Sequence, residues 1–495
     1  MILIDGDSLK IEDVVKVARY GERVGISDDS REKILKSREV VENIIRKNKV
    51  VYGITTGLGD LVKKRIPPGD SRELQINLVR SHSSGVGEYI EEEVVRAAML
   101  IRANSLVKGF SGVRMEVVEL LVNMLNKHVT PLVPRFGSVG ASGDLASLAH
   151  IALVMIGEGK ALYEGKILDG KIAMEKAGLE PIELREKEGL ALLNGTSMMA
   201  AYASLAVYDS FELMKNSLVS AAMSFEALRA TDKALDPRIM EVRSHPGQIR
   251  VAEILRELLK GSKIVEKARK EKVQDAYTLR CTPQVYGAVL DTINYVRSVV
   301  EREINSATDN PLIFDEAISG GNFHGEPIAL VMDFLAIALT DLGNMIERRV
   351  ARLVDEKLSN LPPFLIENSG LNSGFMIPQY TAAALCNRNK ILAYPASVDT
   401  IPTSANQEDH VSMGMNSAIK LREIVENLRY IVAIEYLCSN QALYFTGASA
   451  PHIFEARKAI NIPKIERDTS LHPLIENLRE KIERGEILKN IPITL

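Results

Sequence analysis

The chain has 495 residues, of which 46% are hydrophobic and 25% charged, as in ordinary globular proteins with a sizeable core. Its 61 basic and 65 acidic side chains give a formal net charge of -4, which argues against nucleic acid and anionic membranes as partners. The three cysteines are widely spaced and match neither a zinc motif nor a disulfide framework. Together with an N-terminus that lacks the features of a signal peptide, this composition predicts a cytoplasmic protein.

Residues 1–200 are predicted to form a domain of short helical segments and glycine-bearing loops. Two of these loops read YGITTGLGD at 52–60 and SHSSGVGE at 81–88, and a third lies at 137–146. The loops alternate with ordered, apolar segments and are therefore not flexible linkers. We expect this domain to bear the functional site.

Four long apolar stretches follow, and each is typical of a buried helix. They cover residues 198–234, 283–308, 326–358 and 411–444. Two aspartates interrupt the apolar run inside the third stretch, so this run falls short of a membrane span. Long helices bury their apolar surface most simply against each other, which predicts an all-α fold with a long-helix bundle in residues 201–495.

The segment GSVGASGDLA at 137–146 holds three glycines, two serines and two alanines within ordered surroundings. A phosphate-binding loop needs a lysine after its last glycine, where this chain has Asp144. The nucleophile elbow of a serine hydrolase needs a glycine at that same position. The acidic residue therefore excludes the first kind of site and disfavours the second.

Two interpretations of this segment remain. In the first, Ser142 or Asp144 caps the helix predicted to follow, because both side chains can accept hydrogen bonds from unpaired amides. In the second, the amide nitrogen of Gly143 attacks the carbonyl carbon of Ala141, an approach that only very small residues permit. Loss of the Ser142 hydroxyl as water would then leave a methylidene group, an electrophile that no ordinary side chain provides. The residues alone leave both interpretations open.

The same segment strongly resembles the prosthetic-group motif of the histidine and aromatic amino acid ammonia-lyases. The resemblance implies that Ala141, Ser142 and Gly143 cyclise to 4-methylidene-imidazol-5-one (MIO), with help from Asp144 and with no external cofactor. Eight further segments resemble blocks of that family and follow the family's order. They are YGITTGLG at 52–59, LVRSHSSGVGE at 78–88, EGLALLNGTS at 188–197, VQDAYTLRCTPQV at 273–285, NSATDNPLIF at 305–314, SGGNFHGEP at 319–327, GLNSGFMI at 370–377 and SANQEDHVSMG at 404–414.

The resemblance also implies which residues act in catalysis. Tyr52 matches the family's active-site tyrosine, the leading general base, whose phenol would need a pKa below its ordinary value of about 10. Asn194 matches the asparagine that hydrogen-bonds to MIO or substrate, and Phe323 matches the aromatic residue beside MIO. Tyr277, in the block at 273–285, is implied as a further catalytic residue.

Five residues are implied in substrate binding. Arg280 matches the arginine that holds the substrate carboxylate, and Gln274 shares its block. His82 resembles the ring-recognition histidine of the histidine and tyrosine enzymes. Glu408 and Met376 follow the histidine enzymes, and a carboxylate such as Glu408 can accept a hydrogen bond from an imidazole N–H.

These features predict that the substrate is L-histidine and the products are trans-urocanate and ammonia. A tyrosine ammonia-lyase or a 2,3-aminomutase would share MIO and differ in ring recognition or product. A noncatalytic helical oligomer is an alternative of another class, which the intact triplet, Tyr52 and Arg280 disfavour. Thr55, Leu58 and Tyr394 depart from residues usual in histidine enzymes and leave the strictness for histidine open.

A metal site is not expected at the EDH sequence of 408–410, because adjacent residues in the first turn of a helix point in different directions. The resemblance implies a homotetramer in which the long helices of residues 201–495 form the common core. Each active site would draw residues from three subunits and would bind a small amino acid.

Overall fold

The computed structural model of the chain describes residues 1–495, apart from the side chain of Pro68. α-Helices make up most of it. They are α1 (Ile11–Tyr20), α2 (Asp28–Arg46), α3 (Ser71–His82), α4 (Glu92–Val107), α5 (Met115–Asn126), α6 (Leu145–Met155), α7 (Gly170–Lys176), α8 (Glu188–Leu193), α9 (Ser197–Ala227), α10 (Pro237–Glu241), α11 (Pro246–Leu258), α12 (Lys263–Glu271), α13 (Tyr277–Arg280), α14 (Thr282–Glu303), α15 (Glu326–Val354), α16 (Glu356–Ser359), α17 (Met376–Leu392), α18 (Gly414–Thr446), α19 (Pro451–Ile460) and α20 (His472–Glu483).

The strands are short and pair in small sheets of two or three, in the orders β1-β2, β3-β5, β4-β6-β7 and β8-β9. β1 and β2 run parallel, and the other pairs are antiparallel. Their bounds are β1 (Ile2–Ile4), β2 (Val24–Ile26), β3 (Val86–Tyr89), β4 (Thr130–Pro131), β5 (Pro134–Phe136), β6 (Lys160–Tyr163), β7 (Lys166–Asp169), β8 (Leu312–Ile313) and β9 (Ala317–Ile318). The predicted all-α class is confirmed.

The chain forms two compact units, each built from three separate segments. The boundaries between the segments fall inside the long helices α9, α14, α15 and α18, and once in the stretch after α17. Unit 1 comprises Met1–Tyr208, Arg297–Asp333 and Pro395–Ile419, and unit 2 comprises Asp209–Val296, Phe334–Tyr394 and Lys420–Leu495. The sequence-based division at residue 200 stays a prediction about domains.

The prediction of a helix over residues 198–234 is wrong at its C-terminal end, because α9 ends at Ala227. Arg229 has a left-handed φ of 50°. The Ala230 amide donates to the Phe225 carbonyl at 2.8 Å, as in the left-handed closing turns common at helix ends. The helix therefore closes before the DPR sequence at 236–238 that was expected to end it.

The other long helices also differ from expectation at their ends. α14 ends at Glu303, where the side-chain amide of Asn305 donates to the Glu301 carbonyl at 2.8 Å. α15 ends at Val354, and α16 forms a separate short helix. α18 begins at Gly414 rather than at 411, because the preceding residue, Met413, has a left-handed φ of 53°.

Helix α15 is long and apolar enough to cross a membrane by length and composition, but 67% of its most apolar 18-residue stretch is buried inside the protein. Asp333 of this helix is also buried. Its carboxylate accepts hydrogen bonds from the Ser397 amide at 2.9 Å and from the Ser417 hydroxyl at 3.0 Å. A hydrogen-bonded acid on a buried face is typical of a helix packed within a protein core.

Three helix ends meet in unit 1. Helices α3, α6 and α8 pack against one another. α3 ends at His82, α8 ends at Leu193, and α6 begins at Leu145. The segments next to these ends therefore converge, and they include the glycine-rich segment 137–146.

A buried polar network joins the four long helices within unit 2. Glu435 of α18 forms an ion pair with Arg349 of α15 at 2.5 Å, and neither side chain is exposed to solvent. Glu435 also accepts hydrogen bonds from Ser220 and Ser224 of α9, at 2.6 and 2.9 Å. Arg349 donates to the hydroxyl of Tyr286 on α14. One buried carboxylate thus connects α9, α15 and α18 directly and α14 through Arg349.

We predict that Arg349→Met destabilises the protein strongly. The substitution leaves the Glu435 carboxylate buried without its cation, which typically costs about 3–5 kcal/mol. The control is Arg388→Met, which removes a half-exposed pair with Glu423 in the same unit and should cost less than about 1 kcal/mol. Thermal unfolding followed by circular dichroism compares the two variants. Equal losses would contradict the role of the buried pair.

Candidate active site

A cavity of about 440 Å³ lies in unit 1. Five residues predicted for the site line it, namely Tyr52, His82, Ser142, Asn194 and Glu408. Leucine side chains supply much of the remaining wall. An apolar wall with a few convergent polar groups is typical of a binding site for a small molecule.

The backbone of residues 142–144 is clamped by Gly195. The Asp144 amide donates to the Gly195 carbonyl at 2.7 Å, and the Gly195 amide donates to the Ser142 carbonyl at 3.3 Å. Gly143 lies between these two bonds with a left-handed φ of 71°. A Cβ atom on Gly143 would overlap the backbone of Gly195, so only glycine fits there.

The groups that would join on cyclisation are not engaged elsewhere. Among the described residues, neither the Gly143 amide nor the Ala141 carbonyl takes part in a hydrogen bond. Ala141 is buried and packs with Val411 and Met413. The chain is therefore fixed on both sides of the tripeptide, while the nucleophilic nitrogen and the carbonyl of the second interpretation remain free.

The contacts of Asp144 show that the first interpretation, in which Ser142 or Asp144 caps the following helix α6, is wrong. Asp144 occupies the N-cap position of α6, but its side chain makes no capping hydrogen bond to that helix. Its carboxylate instead accepts from the Met199 amide, in the first turn of α9, at 2.9 Å and from the Ser138 hydroxyl at 3.2 Å. Ser142 does not cap α6 either, since Asp144 holds the N-cap position, and the Ser142 hydroxyl donates to Glu408. The acid therefore caps α9, a helix distant in sequence.

Burial raises the pKa of the Asp144 carboxyl to about 7. The hydrogen bonds from Met199 and Ser138 act in the opposite direction, and the nearby Glu303 carboxyl raises the pKa further. Burial also raises the pKa of Glu303, whose carboxylate accepts from the Thr196 hydroxyl. Two buried acidic side chains therefore lie near the clamp, and burial favours the neutral form of each.

Glu408 faces the hydroxyl of the tripeptide. The Ser142 hydroxyl donates to one carboxylate oxygen of Glu408 at 2.8 Å, and the Thr403 hydroxyl donates to the other at 2.6 Å. The expectation that 408–410 form the first turn of a helix is wrong. Glu408 pairs with Thr403 in an isolated antiparallel bridge, and α18 begins only at Gly414.

Tyr52 and His82 lie in the cavity wall with shifted pKa values. Burial, and secondarily Glu408, raise the pKa of the Tyr52 phenol, although the Gly59 amide donates to its oxygen at 3.1 Å. Base chemistry requires a shift in the opposite direction, so the described groups of this chain do not supply it. Burial lowers the pKa of His82 despite the nearby Glu408 and therefore favours the neutral imidazole.

Asn194 and Phe323 also lie in unit 1. The Asn194 side-chain amide donates to the Asn310 carbonyl at 3.1 Å, which fixes its orientation. Its oxygen Oδ1 is buried and has no hydrogen-bond partner among the described residues, so it is free to accept one. Phe323 is half-buried in the segment before α15.

The four other predicted residues belong to unit 2. Gln274 is exposed in the stretch between α12 and α13. Tyr277, which begins α13, is 70% exposed. The guanidinium of Arg280 lies over the Tyr277 ring, 4.7 Å from its centre. Met376 begins α17. Their roles stay predictions.

Three residues of the site were missed by the sequence analysis. Gly195 clamps the tripeptide, Met199 supplies the amide that orients Asp144, and Ser138 donates to the same carboxylate. Gly195 directly follows the predicted Asn194, so a glycine beside a functional residue was the available signal. Nothing in the sequence pairs Met199 with an acid at 144.

Comparisons with known proteins agree with the geometry. The model of the family described as aromatic amino acid lyase matches residues 9–461. The probable histidine ammonia-lyase of Thermoplasma acidophilum is 55% identical over 497 residues, which cover 99% of this chain and 100% of that protein. The histidine ammonia-lyase of Caldanaerobacter subterraneus subsp. tengcongensis is 55% identical over 506 residues, which cover 100% of this chain and 99% of that protein.

Solved structures match over nearly the whole chain. The tyrosine aminomutase from Streptomyces globisporus has a TM-score of 0.95 and 38% identity, and the match covers 99% of this chain and 98% of that chain. The histidine ammonia-lyase from Trypanosoma cruzi has a TM-score of 0.92 and 41% identity, and the match covers 99% and 94%. The chain belongs to the aromatic amino acid lyase family, which confirms the resemblance found in the sequence.

We predict that Asp144→Asn changes how stability depends on pH. Because the folded pKa of Asp144 is raised to about 7, the folded state holds a proton that the unfolded state has released between about pH 4 and pH 7. This group therefore lowers the stability of the native protein as the pH rises through that range. The variant lacks this titration, so its melting temperature should fall less steeply with rising pH than that of the unsubstituted protein.

Melting temperatures measured at several pH values across this range test the prediction. Asp315→Asn, at an exposed position, serves as the control and should give a curve parallel to that of the unsubstituted protein. A parallel curve for Asp144→Asn as well would show that the buried carboxyl does not titrate in this range.

Proposed function

We infer that this chain is a histidine ammonia-lyase, which converts L-histidine to trans-urocanate and ammonia. The observation that carries this inference is the cavity wall, in which Glu408 lies beside the tripeptide and His82 lines the same cavity. The carboxylate can accept a hydrogen bond from an imidazole N–H, and the leucines provide apolar surface for the ring. Full-length relatives at 46–56% identity carry this name or its probable form.

We further propose that Ala141, Ser142 and Gly143 form MIO. Bond formation between the Gly143 nitrogen and the Ala141 carbonyl carbon, followed by loss of that carbonyl oxygen, releases one water. Loss of the Ser142 hydroxyl with a proton from its α-carbon releases a second. The free Gly143 amide, the free Ala141 carbonyl and the Gly195 clamp support this assignment. Asp144 holds the segment against α9 during this step.

MIO, when formed, supplies an electrophile that activates the substrate for loss of its amine. The chain's own residues must then remove a weakly acidic β-hydrogen, and we assign this task to Tyr52. The Gly59 amide stabilises its phenolate by donating to the oxygen. A substrate ammonium group in the cavity would lower the pKa of Tyr52, against the effects of burial and Glu408.

The remaining residues would position the substrate. Asn194 offers its unpaired Oδ1 to an N–H of the substrate or the prosthetic group. By family resemblance, Arg280 would hold the substrate carboxylate through its fork of donors, with Gln274 and Tyr277 nearby. Phe323 and Met376 keep the roles that the resemblance implies, Phe323 beside the prosthetic group and Met376 in substrate binding.

We propose that the enzyme is a homotetramer in the cytoplasm. Gln274 and Tyr277, both assigned to the site, are exposed on the single chain, as residues that complete a site in a neighbouring subunit would be. The three cysteines form no disulfide among the described residues, which suits a reducing compartment. Light scattering should give the mass of four chains, and cell fractionation should recover the enzyme in the soluble fraction. A fully active single chain would contradict the assembly.

The first test of the function combines intact mass with substrate turnover. We predict that the purified protein is lighter than its sequence by two water molecules and forms urocanate from histidine, but no product from tyrosine or phenylalanine. Ser142→Ala should retain the full mass and lose turnover, because the hydroxyl that is eliminated is absent. Urocanate absorbance and mass spectrometry provide the two measurements.

Each outcome of this test is informative. The mass deficit with turnover of tyrosine would retain the chemistry and overturn the substrate, and a β-amino acid product would indicate an aminomutase. An unmodified mass with no turnover would exclude an enzymatic function for this chain.

In the same assay, Glu408→Gln should lower kcat/KM for histidine about 10- to 100-fold, the effect of losing a charged hydrogen-bond partner. Glu466→Gln, at an exposed position, is the control.

A further inference from the structure

Three potential metal ligands converge in unit 1, and none of them lines the cavity described above. His324, Glu326 and His410 each offer one ligand atom, and these atoms all lie within 4.8 Å of one another. We propose that these three residues bind a divalent transition-metal ion, with zinc and cobalt as the best-suited ions. The inference is independent of the proposed function, because it rests on the ligand atoms alone.

The ligand set has the composition of known metal sites. Two imidazoles and one carboxylate are the protein ligands of several zinc enzymes, which leave the remaining position to water. Nitrogen and oxygen ligands of this kind suit zinc, cobalt and nickel better than calcium or magnesium, which prefer oxygen alone. The set therefore selects the class of ion.

The geometry requires only a small adjustment. Ligand atoms around a tetrahedral zinc ion lie roughly 3.3 Å apart, given bond lengths near 2.0–2.1 Å. The present spacing of up to 4.8 Å must close by at most about 1.5 Å. His410 is exposed and lies in the extended segment before α18, so rotation of its side chain can provide this movement.

The carboxylate of Glu326 supplies an independent indication. Its atom Oε2 is buried and has no hydrogen-bond partner among the described residues. Glu326 is the first residue of α15, where the helix dipole favours a negative charge. The dipole explains the charge but donates no hydrogen bond to this oxygen. A bound cation would satisfy it directly.

His324 is held in a tautomer that fits metal binding. Its Nε2 lies 3.3 Å from the carbonyl oxygen of His410, and a carbonyl can only accept, so Nε2 carries the proton. Its Nδ1 therefore carries a lone pair, which accepts a long hydrogen bond of 3.3 Å from the Glu326 amide and which a metal ion would take over. Metal-bound histidines commonly donate their other N–H to a backbone carbonyl in this way.

A simple contact between two imidazoles is the competing explanation. The rings of His324 and His410 are 5.6 Å apart between centres and inclined by 34°, as in an ordinary ring contact. That contact accounts for the two histidines but leaves the buried oxygen of Glu326 without a partner. The metal ion accounts for all three side chains.

The ion would connect two segments that carry predicted site residues. Phe323 directly precedes His324, and Glu408 lies two positions before His410. Within the EDH sequence at 408–410, Glu408 and His410 make different contacts. Glu408 faces Ser142, whereas the carbonyl of the neighbouring His410 receives the hydrogen bond from His324. Only the last residue of that sequence belongs to the ligand set.

The test measures metal binding by the full-length protein. The protein is stripped with a chelator and titrated with Zn²⁺ by calorimetry, and Co²⁺ is added separately so that its visible absorption reports the coordination. We expect one ion per chain with micromolar or better affinity. His410→Ala and Glu326→Gln should each weaken the affinity at least tenfold and alter the cobalt spectrum.

Two controls make the result decisive. His472→Ala removes a histidine whose side chain is 79% exposed and should bind the ion as the unsubstituted protein does. Ser142→Ala should also bind it, so failure of the proposed function would not affect this outcome. His410 is exposed, so its variant should keep the circular dichroism of the native fold. Equal affinities for His410→Ala, Glu326→Gln and the unsubstituted protein, or less than one ion per chain, would overturn the proposal.

Discussion

The two hydrogen bonds between Gly195 and the backbone of Ser142 and Asp144 are the constraint on which the rest of the site depends. They hold the tripeptide in a shape that leaves its amide nitrogen and carbonyl free. Gly195 is itself confined, because a Cβ atom there would overlap Arg102 and Thr308. Arg102 is fully buried and donates to the Ala191 carbonyl in α8. The clamp is therefore an extension of the core, and its rigidity follows from the packing of buried groups.

Burial also determines the electrostatic character of the cavity. It favours the neutral forms of Tyr52, His82 and Asp144, since each charged form would lose hydration. Glu408 accepts a hydrogen bond on each side-chain oxygen, from the hydroxyl groups of Ser142 and Thr403. In the proposed prosthetic group the Ser142 hydroxyl is lost, which leaves one Glu408 oxygen free to accept a hydrogen bond from a bound substrate.

Residue patterns in the sequence predicted the all-α class and five residues that line one cavity. They succeeded because apolar periodicity and family blocks are properties of contiguous segments. They failed where a contact joins distant segments of the chain, or where a single backbone angle determines the residue at which a helix begins or ends. The left-handed angles at Arg229 and Met413 fix the ends of α9 and the start of α18, and neither residue type requires such an angle. Asp144 was expected to cap α6, but its partner Met199 lies 55 positions away.

The hydrogen bond between Ser142 and Glu408 joins residues 266 positions apart, which has a consequence for biosynthesis. At ribosomal rates of about 5–20 residues per second, Glu408 emerges roughly 13–53 s after Ser142. Gly195 emerges much sooner, so the clamp can assemble on the nascent chain before the acid arrives. The glycine-rich segment and Gly195 are thus both available early, whereas Glu408 is available only when most of the polypeptide has left the ribosome. The contact between Ser142 and Glu408 therefore forms in the last stage of synthesis or in the period after it.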